Sequence, residues 1–212
     1  MPAEFKRPAL ALLLLALAAC SGESPQPVPS EQPQPLVIPS PQPTPGTAAG
    51  AQIENIVCGP YSATDNILTN GDFEAPSVDS SGSTTFAAGA GFTNWKVDLG
   101  SVAVVKGSIP KASGTQAVAL GGTLSQQVTT IPGKTYQLSL CYATTPGATS
   151  GGLAVNWEGQ PATTLALNAA AATSAPAWQG VRLTLVARTN RAIVALNGAG
   201  SLVDTVKLTL VP

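Results

Sequence analysis

Thr135-Tyr136-Gln137-Leu138-Ser139-Leu140-Cys141-Tyr142 decides the fold class. Large apolar side chains alternate here with polar or small ones, and a period of two is the signature of a β-strand with one buried face. The same alternation recurs on both sides. Leu153, Val155 and Trp157 alternate with Ala154 and Asn156, and Val181, Leu183 and Leu185 alternate with Arg182 and Thr184. Leu202, Val206, Leu208 and Leu210 share one phase at the C-terminus. Gly and Pro punctuate these runs at Asn70-Gly71, Gly121-Gly122, Pro132-Gly133, Pro146-Gly147, Gly151-Gly152 and Asn197-Gly198, all read as turns between strands. Many short strands with such punctuation predict an all-β antiparallel sandwich over residues 53–212, a length sufficient for a hydrophobic core. The Ala-rich stretch Ala162–Ala175 reads as a strand at Thr163–Leu167 followed by a loose loop rather than as a helix.

Upstream of this domain the composition changes. Nine of the positions from Pro25 to Pro45 are proline. Proline fixes φ and lacks an N–H, so this stretch favours extended polyproline II with no core of its own. Residues 20–52 therefore read as a disordered Pro-rich linker, with Leu36-Val37-Ile38 its one apolar island. Before the linker, Lys6 and Arg7 precede the apolar run Ala9–Ala19, which is too short to span a bilayer and has the layout of an export signal. The closing Leu17-Ala18-Ala19-Cys20 resembles the lipobox of bacterial lipoproteins. That resemblance implies removal of residues 1–19, lipidation of Cys20, and attachment to a membrane of the cell envelope, facing periplasm or cell surface. A plain signal peptide cut elsewhere, or an uncleaved anchor, is the alternative.

With Cys20 lipidated, Cys58 and Cys141 remain, and two thiols in an oxidising compartment most simply form one disulfide. Two separate free thiols are the other reading. Cys141 stands in the polar phase of its strand, so its sulfur need not lie in the core. The net charge is −1 and no basic stretch follows the signal, which argues against a nucleic-acid partner. There is no histidine. Ser-His-Asp triads, Cys-His dyads and the usual zinc, copper or redox-metal ligand sets are thereby excluded. A two-carboxylate glycosidase would have to draw on Asp72, Glu74 or Asp98, and nothing sets two of them across a cleft. The chain reads as a non-enzyme.

Several runs together carry a family resemblance. Asn66-Ile67-Leu68-Thr69-Asn70-Gly71-Asp72-Phe73-Glu74, Gly91-Phe92-Thr93-Asn94-Trp95, Ser113–Gly122, Leu124–Val128 with Ile131–Tyr136, and Val203-Asp204-Thr205-Val206 resemble, in order and spacing, the domain-of-unknown-function 642 group of galactose-binding-like β-sandwiches. A jelly-roll-like sandwich is what this resemblance implies. It implies glycan binding or a structural role, since the fold serves both. Two departures stand out: the Ser/Thr/Gly/Ala insertion Ser77–Ala90, and a lead-in at residues 53–65 that holds Cys58.

In related sandwiches the opening and closing strands approach each other and hold a structural Ca²⁺ on oxygen ligands. Carried onto this chain, the resemblance makes Glu74 and Asp204 ligands, with Asp72 a further candidate. Asp204 shares the phase of Leu202, Val206 and Leu208, so a regular strand turns it toward the core, where a carboxylate needs a cation or several donors. The alternative is that Asp204 bonds backbone N–H groups of a loop, or that a bulge turns it outward. Trp95, Trp157 and Trp178 read as packed side chains. Tyr61, Phe86 and Phe92 lie in loop-like sequence and are the candidate sugar platforms. The expected function is a surface-tethered binding module for cell-envelope or extracellular polysaccharide. The alternative is an architectural subunit docking on a larger envelope protein complex.

Overall fold

The computed structural model describes residues 51–80, 82–148, 151–167 and 175–212. Cys20, the apolar run and the Pro-rich stretch lie outside these residues. The described chain is all β, with ten strands: β1 (Gln52–Ile56), β2 (Ser83–Ala87), β3 (Gly91–Phe92), β4 (Trp95–Val105), β5 (Ala117–Thr129), β6 (Thr135–Thr144), β7 (Gly152–Trp157), β8 (Thr163–Leu165), β9 (Gln179–Val186) and β10 (Arg191–Leu210). All pairings are antiparallel, in the order β1-β9-β6-β10-β5-β4-β2. The strand β3 adds to β4, and β7 with β8 adds to the first half of β10. The predicted strand at Thr163 is thus present as β8, and the insertion Ser77–Ala90 supplies β2.

The alternating runs of β6, β7 and β9 bury the faces the sequence assigns to them, whereas Leu210 at the end of β10 is exposed. Leu183, Leu138 and Leu208 are directly opposite one another across β9, β6 and β10, and all three are fully buried. Burying each such side chain stabilises the fold by roughly 1.5–3 kcal/mol relative to leaving it in water. Trp95, Trp157 and Tyr136 join the same core. Trp95 also donates its indole N–H to the Asn70 carbonyl (3.0 Å), and Trp157 donates to the Val186 carbonyl (3.1 Å). Buried indoles need such partners.

Two of the expected turns are strand interiors. Gly121-Gly122 lies inside β5 and Asn197-Gly198 inside β10. Gly122 pairs with Gly100 of β4 on one side and Gly198 of β10 on the other, so a row of glycines crosses three long strands. A Cβ at Gly122 would fall on the Leu99 carbonyl oxygen, and one at Gly100 on the Gly121 carbonyl oxygen. Backbones therefore approach along this row more closely than any side chain permits.

A second irregularity positions the site. Asp204 pairs with Cys141 and Lys207 with Ser139, so β10 carries one residue more than β6 between these pairs. Thr205 sits in the left-handed region (φ 52°) at this bulge. The bulge breaks the phase from which the sequence places Asp204. Val206 and Leu208 face the core cluster, whereas Asp204 shares the opposite face with Cys141. Its orientation toward the core is corrected accordingly.

Candidate functional site

Cross-strand partners share a face, so Ile56, Gly180, Cys141 and Asp204 form one row across β1, β9, β6 and β10. Two segments roof the row. One is the lead-in after β1, fixed by the disulfide between Cys58 and Cys141, whose Cα atoms are 5.9 Å apart. Cys141 is only 3 % exposed because this lead-in covers it, although its strand phase is polar. The other is the β4–β5 connection. Its Ala112 and Ser113 N–H groups both donate to Asp204 Oδ2 (3.0 Å each), and the Tyr61 N–H of the lead-in donates to Ser113 Oγ (3.0 Å). Asp204 Oδ1 accepts from the Thr205 N–H (2.7 Å).

Asp204 is fully buried. Burial pushes its carboxyl up to about 7, against the opposing pull of the three backbone N–H groups, and Glu74 nearby adds a smaller push in the same direction. Glu74 is itself spent on the same connection. It accepts from the Thr115 N–H (2.7 Å), the Thr115 hydroxyl (2.7 Å) and the Gln116 N–H (2.8 Å). Lys111 supplies positive charge near both carboxylates, while burial lowers its own ammonium pKa more than they raise it.

These residues do not fit a calcium site. All four oxygens of Asp204 and Glu74 face N–H or O–H donors, whose positive ends stand where a cation would bind. No group of three acidic, His or Cys side chains converges among the described residues. Asp72 is half-buried and accepts no hydrogen bond among them. The loop-anchoring alternative for Asp204 is the arrangement found.

The expected aromatic platform is corrected at Phe92. Phe92 is 5 % exposed, a core residue packed edge-on to Phe73 and at a tilt against Phe86, with ring centroids 6.4 and 4.7 Å away. Its two-residue strand pairs with Trp95 and thereby turns the ring inward. Phe86 is half-buried against it. Tyr61 is half-buried, and its hydroxyl accepts from Asn66 Nδ2 at 2.7 Å. Tyr61 lines a small hollow with Cys58 and Lys207, away from the phenyl pair.

Trp178 lines a larger cleft. Together with Asn55, Val57, Lys111 and Gln179 it borders a cavity of about 610 Å³ at the roofed end of the sheet. Its indole N–H donates to the Pro110 carbonyl (3.1 Å), which fixes the ring against the β4–β5 connection. Gln179 Oε1 accepts from the Tyr142 hydroxyl (3.3 Å), and burial raises the pKa of that phenol. The sequence offers one signal for Trp178: it falls just before the alternating phase of β9 starts, outside the part of the strand whose burial the pattern guarantees.

The family model described as "Protein of unknown function (DUF642)" matches residues 66–207, more than half of the chain. The chain belongs to the DUF642 family. The matched DUF642 region begins at Asn66, so Cys58 and the rest of the lead-in lie outside it. No curated protein matches the chain. Among solved structures, it is similar to TmCBM61 in complex with beta-1,4-galactotriose (20 % identity, TM-score 0.43, covering 69 % of this chain and 99 % of that one). It is also similar to the CBM22-1 xylan-binding domain from Paenibacillus barcinonensis Xyn10C (16 %, TM-score 0.40, covering 63 % and 95 %). A third similarity is to the enzymatically active domain of bacteriophage CBA120 tailspike protein 4 (16 %, TM-score 0.37), where 71 % of this chain aligns with only 22 % of that one.

Three polar residues of the DUF642 motifs, Asn66, Gln116 and Gln126, are occupied structurally. Asn66 Oδ1 accepts from the Leu68 and Leu208 N–H groups, and its amide donates to the Val206 carbonyl. Gln116 accepts from the Val78 N–H and donates to the Phe73 and Pro76 carbonyls. Gln126 holds both the N–H and the carbonyl of Thr69. These side chains fasten the opening segment to the closing strand, where the Val206 N–H also donates to the Gly71 carbonyl at 2.7 Å.

Proposed function

We propose that this domain is a non-catalytic carbohydrate-binding module for cell-envelope or extracellular polysaccharide. In this reading it is presented on the Pro-rich leash from a lipid on Cys20. The observation that carries the reading is the Trp178 cleft. A fixed indole bordered by the side-chain amides of Asn55 and Gln179 and the ammonium of Lys111 combines an apolar face with hydrogen-bonding groups, which is what a pyranose ring requires. The absence of histidine supports a non-catalytic role, as does the engagement of Glu74 and Asp204 with loop backbone and of Asp98 with Lys96 (2.7 Å). Binding to a panel of neutral and acidic polysaccharides tests the reading. The wild-type protein is expected to bind at least one, and Trp178→Ala to weaken that affinity about tenfold or more, equivalent to about 1.4 kcal/mol. Uniform failure of folded, oxidised protein would overturn it.

The architectural alternative has one observation in its favour. Among the described residues β1 is an edge strand, and Ile53 and Val57 beside that edge are exposed. Edge strands are templates for pairing with another chain. Crosslinked pull-down from envelope fractions that returns a stoichiometric protein, lost on Ile53→Lys, would establish that role.

A further inference from the structure

We propose that the cleft on the other flank of the β4–β5 connection binds the anionic substituents of an acidic polysaccharide, uronate carboxylates or sulfate esters. This deepens the carbohydrate-binding reading and rests on it. The cleft is open, about 980 Å³, and its lining includes Lys106, Lys111, Ser83, Ser108 and Thr115 but no carboxylate. Both lysines are half-buried. Lys106 Nζ donates to the Val78 carbonyl (3.3 Å), and Lys111 Nζ donates to the Ile109 carbonyl. An ammonium has three N–H donors, so each lysine keeps donors for a ligand.

Neither lysine is in an ion pair. The ion pairs among the described residues are Lys96–Asp98 and Arg182–Glu54. Asp204 and Glu74 feel the charge of Lys111, but their oxygens are taken by the backbone and the Thr115 hydroxyl. Neither ammonium has a carboxylate in direct ion-pair contact, although Glu74 and Asp204 partly offset the charge of Lys111, and each keeps N–H donors that an anionic group can accept from. Lys111 borders this cleft and the Trp178 cleft alike. One glycan strand can therefore stack a ring on Trp178 and direct an acidic group of a neighbouring sugar toward Lys111 and Lys106.

Affinity electrophoresis and calorimetry with polygalacturonate, dextran sulfate and neutral galactan test this, using the full oxidised chain and its Lys106→Gln/Lys111→Gln variant. Binding of at least one acidic polymer is expected to exceed that of galactan. It should weaken about tenfold between roughly 50 and 500 mM salt, as pairing between partly exposed charges does. The double variant, with an unchanged melting temperature, should lose about tenfold on the acidic polymer, and Lys106→Gln alone, which lies outside the Trp178 cleft, should weaken the acidic polymer and leave galactan binding unchanged. Lys134→Gln removes one charge outside the cleft and should leave binding intact. The carboxylated and sulfated polymers separate the two anion sources. Galactan binding with no acidic preference, or an unaffected double variant, overturns this site alone. Binding of no polymer by the wild type overturns the carbohydrate-binding reading with it.

Discussion

Asp204 makes the stability of this domain depend on pH in an unusual direction. Its carboxyl titrates near 7 in the folded protein, whereas an unfolded chain holds aspartate near its ordinary value of about 3.9. Between those values the folded state binds the extra proton. Stability is therefore fully present below the unfolded pKa and is lost as pH rises through the folded one. From pH 8.5 to 5.5 the group crosses about 1.5 units below its folded pKa, which amounts to about 2 kcal/mol gained on acidification. For a domain of this size that is roughly 4–8 °C in Tm. The window is clean because the chain has no histidine. Thermal melts by circular dichroism at fixed ionic strength would read it. Asp204→Asn carries no charge to desolvate and should flatten the profile, while losing stability at pH 5.5 because its amide faces backbone N–H groups. A wild-type Tm that is flat or falls on acidification, or a slope that survives in Asp204→Asn, would refute the reasoning.

Three further outcomes follow from the same packing. Gly122→Ala drives a methyl into the Leu99 carbonyl and should cost at least about 3 kcal/mol or prevent folding, measured by urea denaturation. Reducing the Cys58–Cys141 disulfide, which closes a separation of 83 residues, should lower stability by up to ~4 kcal/mol, and the protein should show a lower urea midpoint in dithiothreitol. Added Ca²⁺ or chelator should leave Tm unchanged, since the oxygens of Glu74 and Asp204 are committed to backbone and hydroxyl donors. A calcium-dependent rise in Tm would restore the metal reading.

The strands were legible because burial on one face leaves a period of two, as at Tyr136–Tyr142. The glycine row was not. Gly121-Gly122 between alternating runs has the same appearance at a hairpin turn and in the interior of a strand. What separates the two is Gly100 and Gly198 lying alongside, which depends on pairing between distant segments. Asp204 was legible as a buried carboxylate in need of partners. Its partners and its face were not, because the bulge at Thr205 and the positions of Ala112 and Ser113 are tertiary facts. The family motifs reveal fold well and chemistry poorly for one reason: Asn66, Glu74, Gln116 and Gln126 are polar residues employed as backbone clamps. The cleft is bordered instead by Trp178 and Lys111, which stand outside any alternating run.

Tryptophan fluorescence tests the central claim most directly. Trp95 and Trp157 are buried and serve as an internal reference, whereas Trp178 borders the cleft. Titration with a polysaccharide retained in the binding panel should give a saturable blue shift in the wild type and none in Trp178→Phe. The absence of any shift on binding, or the same shift in Trp178→Phe, would contradict the assignment of the Trp178 cleft as the sugar site.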